Sequence, residues 1–542
     1  MAPPSVQDGT NAAAPPSVVV TPPASKTSIK EKDPAVSVLA RGPRLETVAA
    51  ENGVLITRVS PPSTPSTERT AHLSTEAIDR PKAAGRVRAN SFKARPSLFD
   101  WDHLEDTKNP MRGFFTLFWM TMAAYLTAIL YYNWKENGIF IGRKLSTQMF
   151  NQGSELLCAE IVLILSLFSV VILEKLFIAL EPVFIRGYIP PRSILLFQHI
   201  YQASWFAICI GYVYTREGWS WTQSGCFTLH SIAMLMKQHS YLSYNSEMLF
   251  KRTKVQKYKS RMDELAALMK KLEDDSPQAE EYNAEWELCR EKAQHTQVEL
   301  SKGDTTFPNN VTFANFADYL CVPSLVYELE FPRTGRIRPW YLFEKTVGTA
   351  GILVILYVTI EHFIYPVLED MPNQTFFESL ARLILPFMVA YLLLFHIIFE
   401  CICNWFAEIT RFADRQFYDD WWNSVTFDEY ARKWNKPVHE FLLRHVYLES
   451  ISTYKLSQQN ATFLTFFLSS CLHELVMIVL ARKVRMYLFG LQMLQIPLIF
   501  ISRWSKLKRY PRIGNGFFWF SMYTGPPLLA VAYCREVLVN SP

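Results

Sequence analysis

The sequence predicts an all-α, multi-pass membrane protein with about nine transmembrane helices. Nine stretches approach the roughly 20 apolar residues that cross a bilayer as a helix, and 49% of the 542 residues are hydrophobic. Several of these stretches contain Glu or His, which hydrocarbon disfavours, so we expect the helices to surround a polar interior. The stretches are 113–132, 156–180, 194–214, 219–236, 346–367, 376–403, 461–481, 485–502 and 516–535.

Residues 1–98 differ in composition from the rest of the chain. They hold 13 of the 31 prolines but a single aromatic residue, Phe92. Such a segment cannot bury enough apolar surface to offset the entropy lost on ordering it. The sequence therefore predicts a disordered tail over 1–98 and a membrane domain over 99–542. The distribution of Lys and Arg places this tail in the cytosol.

A long cytosolic segment, 246–302, carries two apolar stripes at helical spacing. The run from Asp274 to Pro277 separates them. We expect two amphipathic helices that lie on the membrane face or on a partner subunit. The stripes consist of Met262, Leu265, Met269 and Leu272, followed by Tyr282, Trp286, Cys289 and Ala293.

Charge and cysteine content exclude two classes of partner. The net charge of +5 is small and dispersed, so it does not indicate nucleic acid binding. The nine cysteines are scattered, and Cys401-x-Cys403 has neither metal-ligand spacing nor a second pair. We therefore predict reduced thiols and no metal site.

The seven residues Phe417–Asn423, here called the aromatic box, lie between two apolar regions. Trp421 and Trp422 suit a membrane interface, where part of each ring is wet. Asn423 offers the amide donors and acceptor with which an active site holds and polarises a carbonyl. The alternative interpretation is an interfacial anchor followed by a helix cap.

One polar pair, His473-Glu474, interrupts the apolar run 463–480. A zinc-binding His-Glu-x-x-His helix would need a second histidine at Met477, so this reading fails. No Gly-x-Ser-x-Gly elbow makes Ser469 a nucleophile. A neutral, buried imidazole within reach of an alcohol is a competent general base. We predict this role for His473, with an interhelical hydrogen bond as the alternative.

Three motifs together resemble the membrane-bound O-acyltransferases, specifically their sterol and diacylglycerol branch. They are the aromatic box, the stretch Trp434-Asn435-Lys436-Pro437-Val438-His439, and His473-Glu474. The resemblance covers residues 100–542 and implies that family's fold, in which the helices enclose a catalytic tunnel. Stretches similar to the fungal sterol enzymes are His239–Asn245, Leu329–Thr334 and Thr465–Ser470, whereas Arg444–Tyr447 is shared with the diacylglycerol enzymes.

The resemblance implies transfer of a fatty acyl group from acyl-CoA to the 3β-hydroxyl of a sterol from the bilayer. His473 would remove the hydroxyl proton, and Asn423 would hold the reacting groups and stabilise charge on the thioester oxygen. No acyl-enzyme, metal or cofactor is implied, because acyl-CoA is a co-substrate. The residues implied to bind acyl-CoA are Phe417, Tyr418, Asp420, Trp421, Trp422, Asn423, His439 and Ser469.

Two other functions stay open at this point. Leu475 stands where animal sterol enzymes carry Tyr, which keeps diacylglycerol as an alternative acceptor. A transporter or scaffold without chemistry would use the buried charges as a pathway. The resemblance also implies an endoplasmic reticulum membrane, contact with membrane lipids, and a homodimer or higher homo-oligomer.

Overall fold

The computed structural model describes residues 92–97, 100, 112–142, 144–149, 151–187, 190, 192–271, 276–502 and 510–538. These ranges are predominantly helical, as predicted. Their one β-hairpin pairs β1 (Ser301–Lys302) with β2 (Thr305–Thr306) in antiparallel fashion.

The first part of the described chain forms eight helices. They are α1 (Arg112–Asn137), α2 (Lys144–Met149), α3 (Gly153–Leu167), α4 (Ser169–Ala179), α5 (Glu181–Ile185), α6 (Arg192–Thr215), α7 (Trp221–Met269) and α8 (Pro277–Val298).

The second part contains the aromatic box and His473. Its helices are α9 (Phe313–Cys321), α10 (Pro339–Thr359), α11 (Tyr365–Glu369), α12 (Phe376–His396), α13 (Asn404–Ile409), α14 (Phe427–Trp434), α15 (Lys436–Phe441), α16 (Glu449–Ser452), α17 (Gln458–Ala481), α18 (Tyr487–Ser502) and α19 (Pro511–Leu538).

Three π-helical segments join neighbouring helices in this second part. They are Ile360–Ile364, Ile397–Cys403 and Leu442–Leu448. Each contains titratable side chains, and π-helical turns are frequent at functional sites. The segment Ile397–Cys403 carries the buried Glu400, which contacts the aromatic box through Tyr418.

Within the described residues, six helical segments are long and apolar enough to cross a membrane. They agree with six of the nine predicted spans, and α18 is a shorter apolar helix at the position of a seventh. The predicted spans 219–236 and 516–535 fall largely on α7 and α19, which are long enough to cross a membrane but do not contain a sufficiently apolar 18-residue window. The multi-pass fold is confirmed, whereas the count of nine is not. The six segments are Gly113–Asn137, Gly153–Ala179, Ser193–Tyr214, Pro339–Glu369, Phe376–Ile409 and Gln458–Ala481.

Helix α7 is much longer than the predicted span because nothing in its sequence stops it. Ser220 begins the helix with a capping box, in which its hydroxyl accepts from the Gln223 amide and the Gln223 side chain returns the bond. Residues 226–269 contain no glycine or proline, so the helix continues for 49 residues into the polar segment.

The two predicted amphipathic stripes pack against each other. Ser276 caps α8, and the short connection places this helix antiparallel to the end of α7. Leu265 of α7 and Cys289 of α8 are buried, and Arg261 pairs with Glu285 across the two helices at 2.9 Å. The two stripes therefore pack on one another, and the expectation that these helices lie on the membrane face or on a partner subunit stays a prediction.

The end of the predicted tail is part of the folded domain. Residues 92–97, here called the strap, contact the chain just ahead of the aromatic box, and Arg95 forms a parallel β-bridge with Asp414. The predicted tail boundary at residue 98 is therefore too late. Composition missed the strap because it holds only one large apolar side chain, Phe92. The rest of the predicted tail, residues 1–91, lies outside the described residues.

Helix α19 links the two predicted halves of the site. It packs against α12, α17 and α18. Its first turn also contacts the loop that follows the aromatic box, since Gly514 lies close to Val425. The box and His473 are therefore attached to one common helix.

Candidate active site

The aromatic box is an extended segment that ends in a single 3₁₀ turn, Trp421–Asn423. Backbone hydrogen bonds attach it to the end of α14 and to the start of α15, where the neighbouring motif lies. The Lys436 amide donates to the Phe417 carbonyl at 3.0 Å, and the Asp419 amide donates to the Lys433 carbonyl at 2.9 Å. The fold therefore brings two of the three sequence motifs together.

Trp421 is the centre of an aromatic cluster and is only 2% exposed. Its ring lies 5.2 Å from Phe395 of α12, 5.1 Å from Trp434 of α14 and 5.7 Å from Trp519 of α19. Such tilted and edge-to-face pairs stabilise packing beyond simple burial. Trp421 thus packs the aromatic box against α12, α14 and α19, and Phe417 is similarly buried.

Tyr418 donates a hydrogen bond to a buried carboxylate, that of Glu400. Its hydroxyl donates to Oε1 of Glu400 at 2.6 Å, and Glu400 is 1% exposed. Burial, and then the neighbouring Glu400, raise the pKa of the Tyr418 phenol well above its ordinary value. Tyr418 therefore remains a neutral hydrogen-bond donor at every physiological pH.

Four box residues keep a side chain that is at least partly accessible. Asp420 and Asn423 are exposed, and Asp419 and Trp422 are half-buried. The Asn423 amide donates to Asp420 at 3.3 Å, while Lys433 pairs with the other oxygen of Asp420 at 2.9 Å. Desolvation raises the pKa of Asp420, but Lys433 and Asn423 outweigh it, so the pKa is lowered and the carboxylate stays charged.

Helix α15 presents His439 beside the box. Asn435 caps this helix, because its side-chain oxygen accepts from the Val438 amide at 3.1 Å. Burial, with added repulsion from Arg432 and Lys436, lowers the pKa of His439 to about 4. The His439 imidazole is therefore neutral at pH 7, and it lies close enough to the box for Asp419 to influence its pKa.

His473 lies in α17 with an exposed side chain, so the predicted burial is wrong. Its Nδ1 is 2.8 Å from the carbonyl oxygen of Ser469, one turn earlier. A carbonyl oxygen can only accept, so Nδ1 must carry the hydrogen. In the neutral ring, Nε2 is then the basic nitrogen. Exposure and tautomer together leave Nε2 able to take a proton from a substrate.

Glu474, next to His473, points away into the protein. Its carboxylate accepts from the Met486 and Phe489 amides at the start of α18, at 2.8 and 3.0 Å, and from the Tyr533 hydroxyl of α19 at 2.9 Å. Negative charge is stabilising at a helix N-terminus. Glu474 thus fixes α17 to two helices and sets the position of His473.

The anchor points of the two site halves are well separated along α19. The Trp422 carbonyl accepts from Asn515 at 3.0 Å and from Trp519 at 3.2 Å. Tyr533, which contacts Glu474, lies fourteen residues after Trp519, and Pro526 and Pro527 lie between them inside the helix. An unkinked helix of that length would span about 21 Å. The described geometry does not place Asn423 and His473 in contact.

Two sequence stretches noted for their resemblance meet behind this site. The Ser240 hydroxyl accepts from the Tyr327 amide and lies 2.8 Å from Nε2 of His445. The Tyr327 ring also packs edge-to-face against Tyr241 of α7. The contact between Ser240 and His445 connects α7 to the π-helical segment Leu442–Leu448.

Sequence reasoning missed several residues that hold the site. Ser97, Asn515 and Tyr533 lie outside the three motifs. Ser97 falls in the predicted tail, Asn515 just before the predicted span 516–535, and Tyr533 inside that span. Glu400 did give a signal as a carboxylate within an apolar run, although its partner could not be deduced. Only the tertiary fold reveals these contacts.

Comparison with known proteins identifies the family of this chain. Residues 111–535 match the model of the membrane-bound O-acyltransferase family. The chain is 34% identical over 495 residues to the probable sterol O-acyltransferase 1 of Schizosaccharomyces pombe, covering 84% of this chain and 89% of that protein.

Two further relatives differ in how much of the chain they match. The probable sterol O-acyltransferase 2 of the same yeast is 35% identical over 478 residues, covering 85% of this chain and 94% of that protein. A soybean diacylglycerol O-acyltransferase 1A is 32% identical over 240 residues, covering 43% and 48%. The chain belongs to the membrane-bound O-acyltransferase family.

Proposed function

We propose that this protein transfers a fatty acyl group from acyl-CoA to the 3β-hydroxyl of a sterol. The observation that carries the proposal is the hydrogen bond from Nδ1 of His473 to the Ser469 carbonyl, which leaves Nε2 basic and accessible. Similarity to proteins named sterol O-acyltransferase over most of the chain supports the choice of acceptor.

The proposed reaction is a direct transfer. Nε2 of His473 takes the sterol hydroxyl proton as the oxygen attacks the thioester carbonyl carbon. The carbon–sulfur bond then breaks, and the coenzyme A thiolate accepts the proton from the imidazolium. The products are a sterol ester and coenzyme A, and His473 returns to its neutral form. No acyl-enzyme, metal or cofactor enters this scheme.

The aromatic box, in this proposal, borders the path of acyl-CoA from the cytosol. Asp420, Trp422 and Asn423 supply the accessible groups, and Phe417, Tyr418 and Trp421 form the packed wall behind them, with His439 and Ser469 further along the path. Because the box and Glu474 contact α19 fourteen residues apart, we propose that Asn423 contacts the coenzyme portion. The earlier prediction that it holds the thioester oxygen stays open to test.

Mutation of Asn423 separates these two roles. If Asn423 contacts the coenzyme portion, Asn423→Ala raises the KM for acyl-CoA and leaves kcat nearly unchanged. If it stabilises the thioester oxygen, kcat falls by about 10²-fold or more. Steady-state kinetics with oleoyl-CoA distinguishes the outcomes.

The acceptor is tested with microsomes from a host that lacks sterol esters and triacylglycerol. Labelled oleoyl-CoA is supplied with sterol or with diacylglycerol, and the lipid products are separated. We expect labelled sterol ester from the sterol. Label that appears only in triacylglycerol would replace the proposal by the diacylglycerol alternative, which the partial soybean match favours.

The setting of the enzyme is also proposed. We place it in the endoplasmic reticulum membrane with its N-terminus in the cytosol, where acyl-CoA is available. We further propose a homodimer or higher homo-oligomer.

A further inference from the structure

We propose that the strap, residues 92–97, acts with Glu400 to position Tyr418 and so completes the acyl-CoA side of the site. The inference rests on the proposed function, since it concerns binding of acyl-CoA. It assigns positioning roles to Ser97 and Glu400, neither of which belongs to the aromatic box.

The strap is attached in a fixed register to the chain that leads into the box. The Arg95 amide donates to the Ala413 carbonyl at 2.9 Å, and the Arg95 carbonyl accepts from the Arg415 amide at 2.8 Å. These are the two bonds of a parallel β-bridge. Residue 413 precedes the box by only four positions, so movement of the strap would disturb the box.

Side chains make this attachment specific. The Arg95 guanidinium contacts both oxygens of the buried Asp414 at 2.8 Å, and donates to Gln416 at 2.8 Å. Bidentate pairing fixes direction as well as distance. The Phe92 ring lies 5.4 Å from Phe331 and thus adds an apolar anchor at the other end of the strap.

Ser97 connects the strap to the box through one carboxylate. Its hydroxyl, on a side chain only 1% exposed, lies 2.8 and 2.9 Å from the two oxygens of Glu400. The same Oε1 accepts from Tyr418, and Asn404 donates weakly to Oε2 at 3.4 Å. Glu400 can hold Tyr418 in one orientation only while its own orientation is fixed, and Ser97 supplies that constraint.

The strap and the box also share a surface. Phe92 and Arg95 line a cleft together with Phe417 and Lys436. Tyr418 packs its ring 4.7 Å from Phe395 and 6.3 Å from the half-buried Trp422. A displaced Tyr418 therefore shifts Trp422, which the proposed function places on the acyl-CoA path.

The test compares Ser97→Ala, Glu400→Gln and Tyr418→Phe with wild type, using full-length purified protein. Ser97→Ala and Tyr418→Phe each remove one hydroxyl that donates to Glu400, and Glu400→Gln weakens the acceptor of both hydroxyls. Loss of one such bond corresponds to about a fivefold effect. We expect the KM for oleoyl-CoA to rise about fivefold, with the sterol KM and kcat little changed. Lys93→Ala is the matched control, because its side chain is exposed and only its amide makes a strap contact.

Rescue of the ion pair tests the strap itself. Arg95→Glu should raise the KM for oleoyl-CoA, and the double variant Arg95→Glu with Asp414→Arg should recover part of the loss. A structural role alone would lower thermal stability without this difference between the two substrates. Wild-type KM values for oleoyl-CoA in all folded variants, or equal changes for both substrates, would overturn the proposal.

Direct measurement of oleoyl-CoA binding separates an effect of the strap on binding from any effect on acyl transfer. Titration calorimetry of oleoyl-CoA with each purified variant gives Kd without any acceptor. If wild type makes no sterol ester, the proposed function fails, and the strap is judged on these Kd values alone. A raised Kd for Ser97→Ala supports it, and an unchanged Kd overturns it.

Discussion

Adjacent residues in α17 have opposite surroundings and therefore different tasks. His473 is accessible and keeps one basic nitrogen for a substrate, whereas Glu474 is 2% exposed and bonds to α18 and α19. The sequence presented them as one polar pair in an apolar helix. The difference arises because neighbours on a helix point about 100° apart.

Loss of Glu474 should destabilise the protein more than loss of an ordinary helix hydroxyl. Glu474→Ala leaves the partly buried Met486 and Phe489 amides and the buried Tyr533 hydroxyl without their acceptor, at a cost of about 1–3 kcal/mol. Glu474→Gln retains an acceptor and should cost less. Thermal unfolding in detergent measures the effect, and Thr465→Ala, which breaks only a bond to its own helix, is the control. Equal melting temperatures for Glu474→Ala and Thr465→Ala would contradict this account.

At the scale of elements, the junction between α19 and the loop after the box leaves no room for a side chain at Gly514. A methyl group there would lie 2.9 Å from the Val425 carbonyl oxygen, and closer still to the Val425 side chain. The backbone must then shift, which costs about 1–3 kcal/mol in a packed region. We expect Gly514→Ala to reduce acyl transfer and stability together.

Gly516→Ala is the matched control for this junction, since nothing lies within 4 Å of the added methyl group. Both positions lie in the same helix, so the cost or benefit of replacing glycine in a helix is shared. Activity of Gly514→Ala equal to that of Gly516→Ala would show that the close approach does not position the box.

How far the sequence predicted each element depended on local signals. Ser276 and Pro277 correctly marked the start of α8, because capping is a local property. The length of α7 was missed, since apolar content ended near residue 236 but no residue stopped the helix. The motifs located the box and His473. Their attachment to α19 depends on Asn515, Trp519 and Tyr533, which are ordinary polar and aromatic residues in an apolar stretch.

For the whole molecule, the folded domain begins earlier than composition suggests. The strap and Asp100 each contribute a buried polar group, and Asp100 pairs with Arg338 at 3.0 Å. Arg338 also contacts Glu408, which in turn pairs with Arg415. The chain just before α1 is therefore tied to the segment before the box by charge pairs that are costly to break.

Two truncations test where the functional molecule begins. Deletion of residues 2–90 removes only sequence ahead of the strap, so it should leave the KM for oleoyl-CoA and thermal stability close to wild type. Deletion of residues 2–100 removes the strap and Asp100 but leaves α1 intact. It should raise that KM and lower the melting temperature. Identical behaviour of the two truncations would contradict the earlier boundary.

The most direct test of the central claim is the initial rate of sterol ester formation by His473→Ala, with labelled oleoyl-CoA and saturating sterol. Loss of a general base predicts a rate reduced by about 10²–10⁴-fold, with an unchanged Kd for oleoyl-CoA and a normal melting temperature. His295→Ala, a change at an exposed histidine of α8, should retain full activity. A folded His473→Ala protein that esterifies sterol within a few-fold of the wild-type rate would contradict the account.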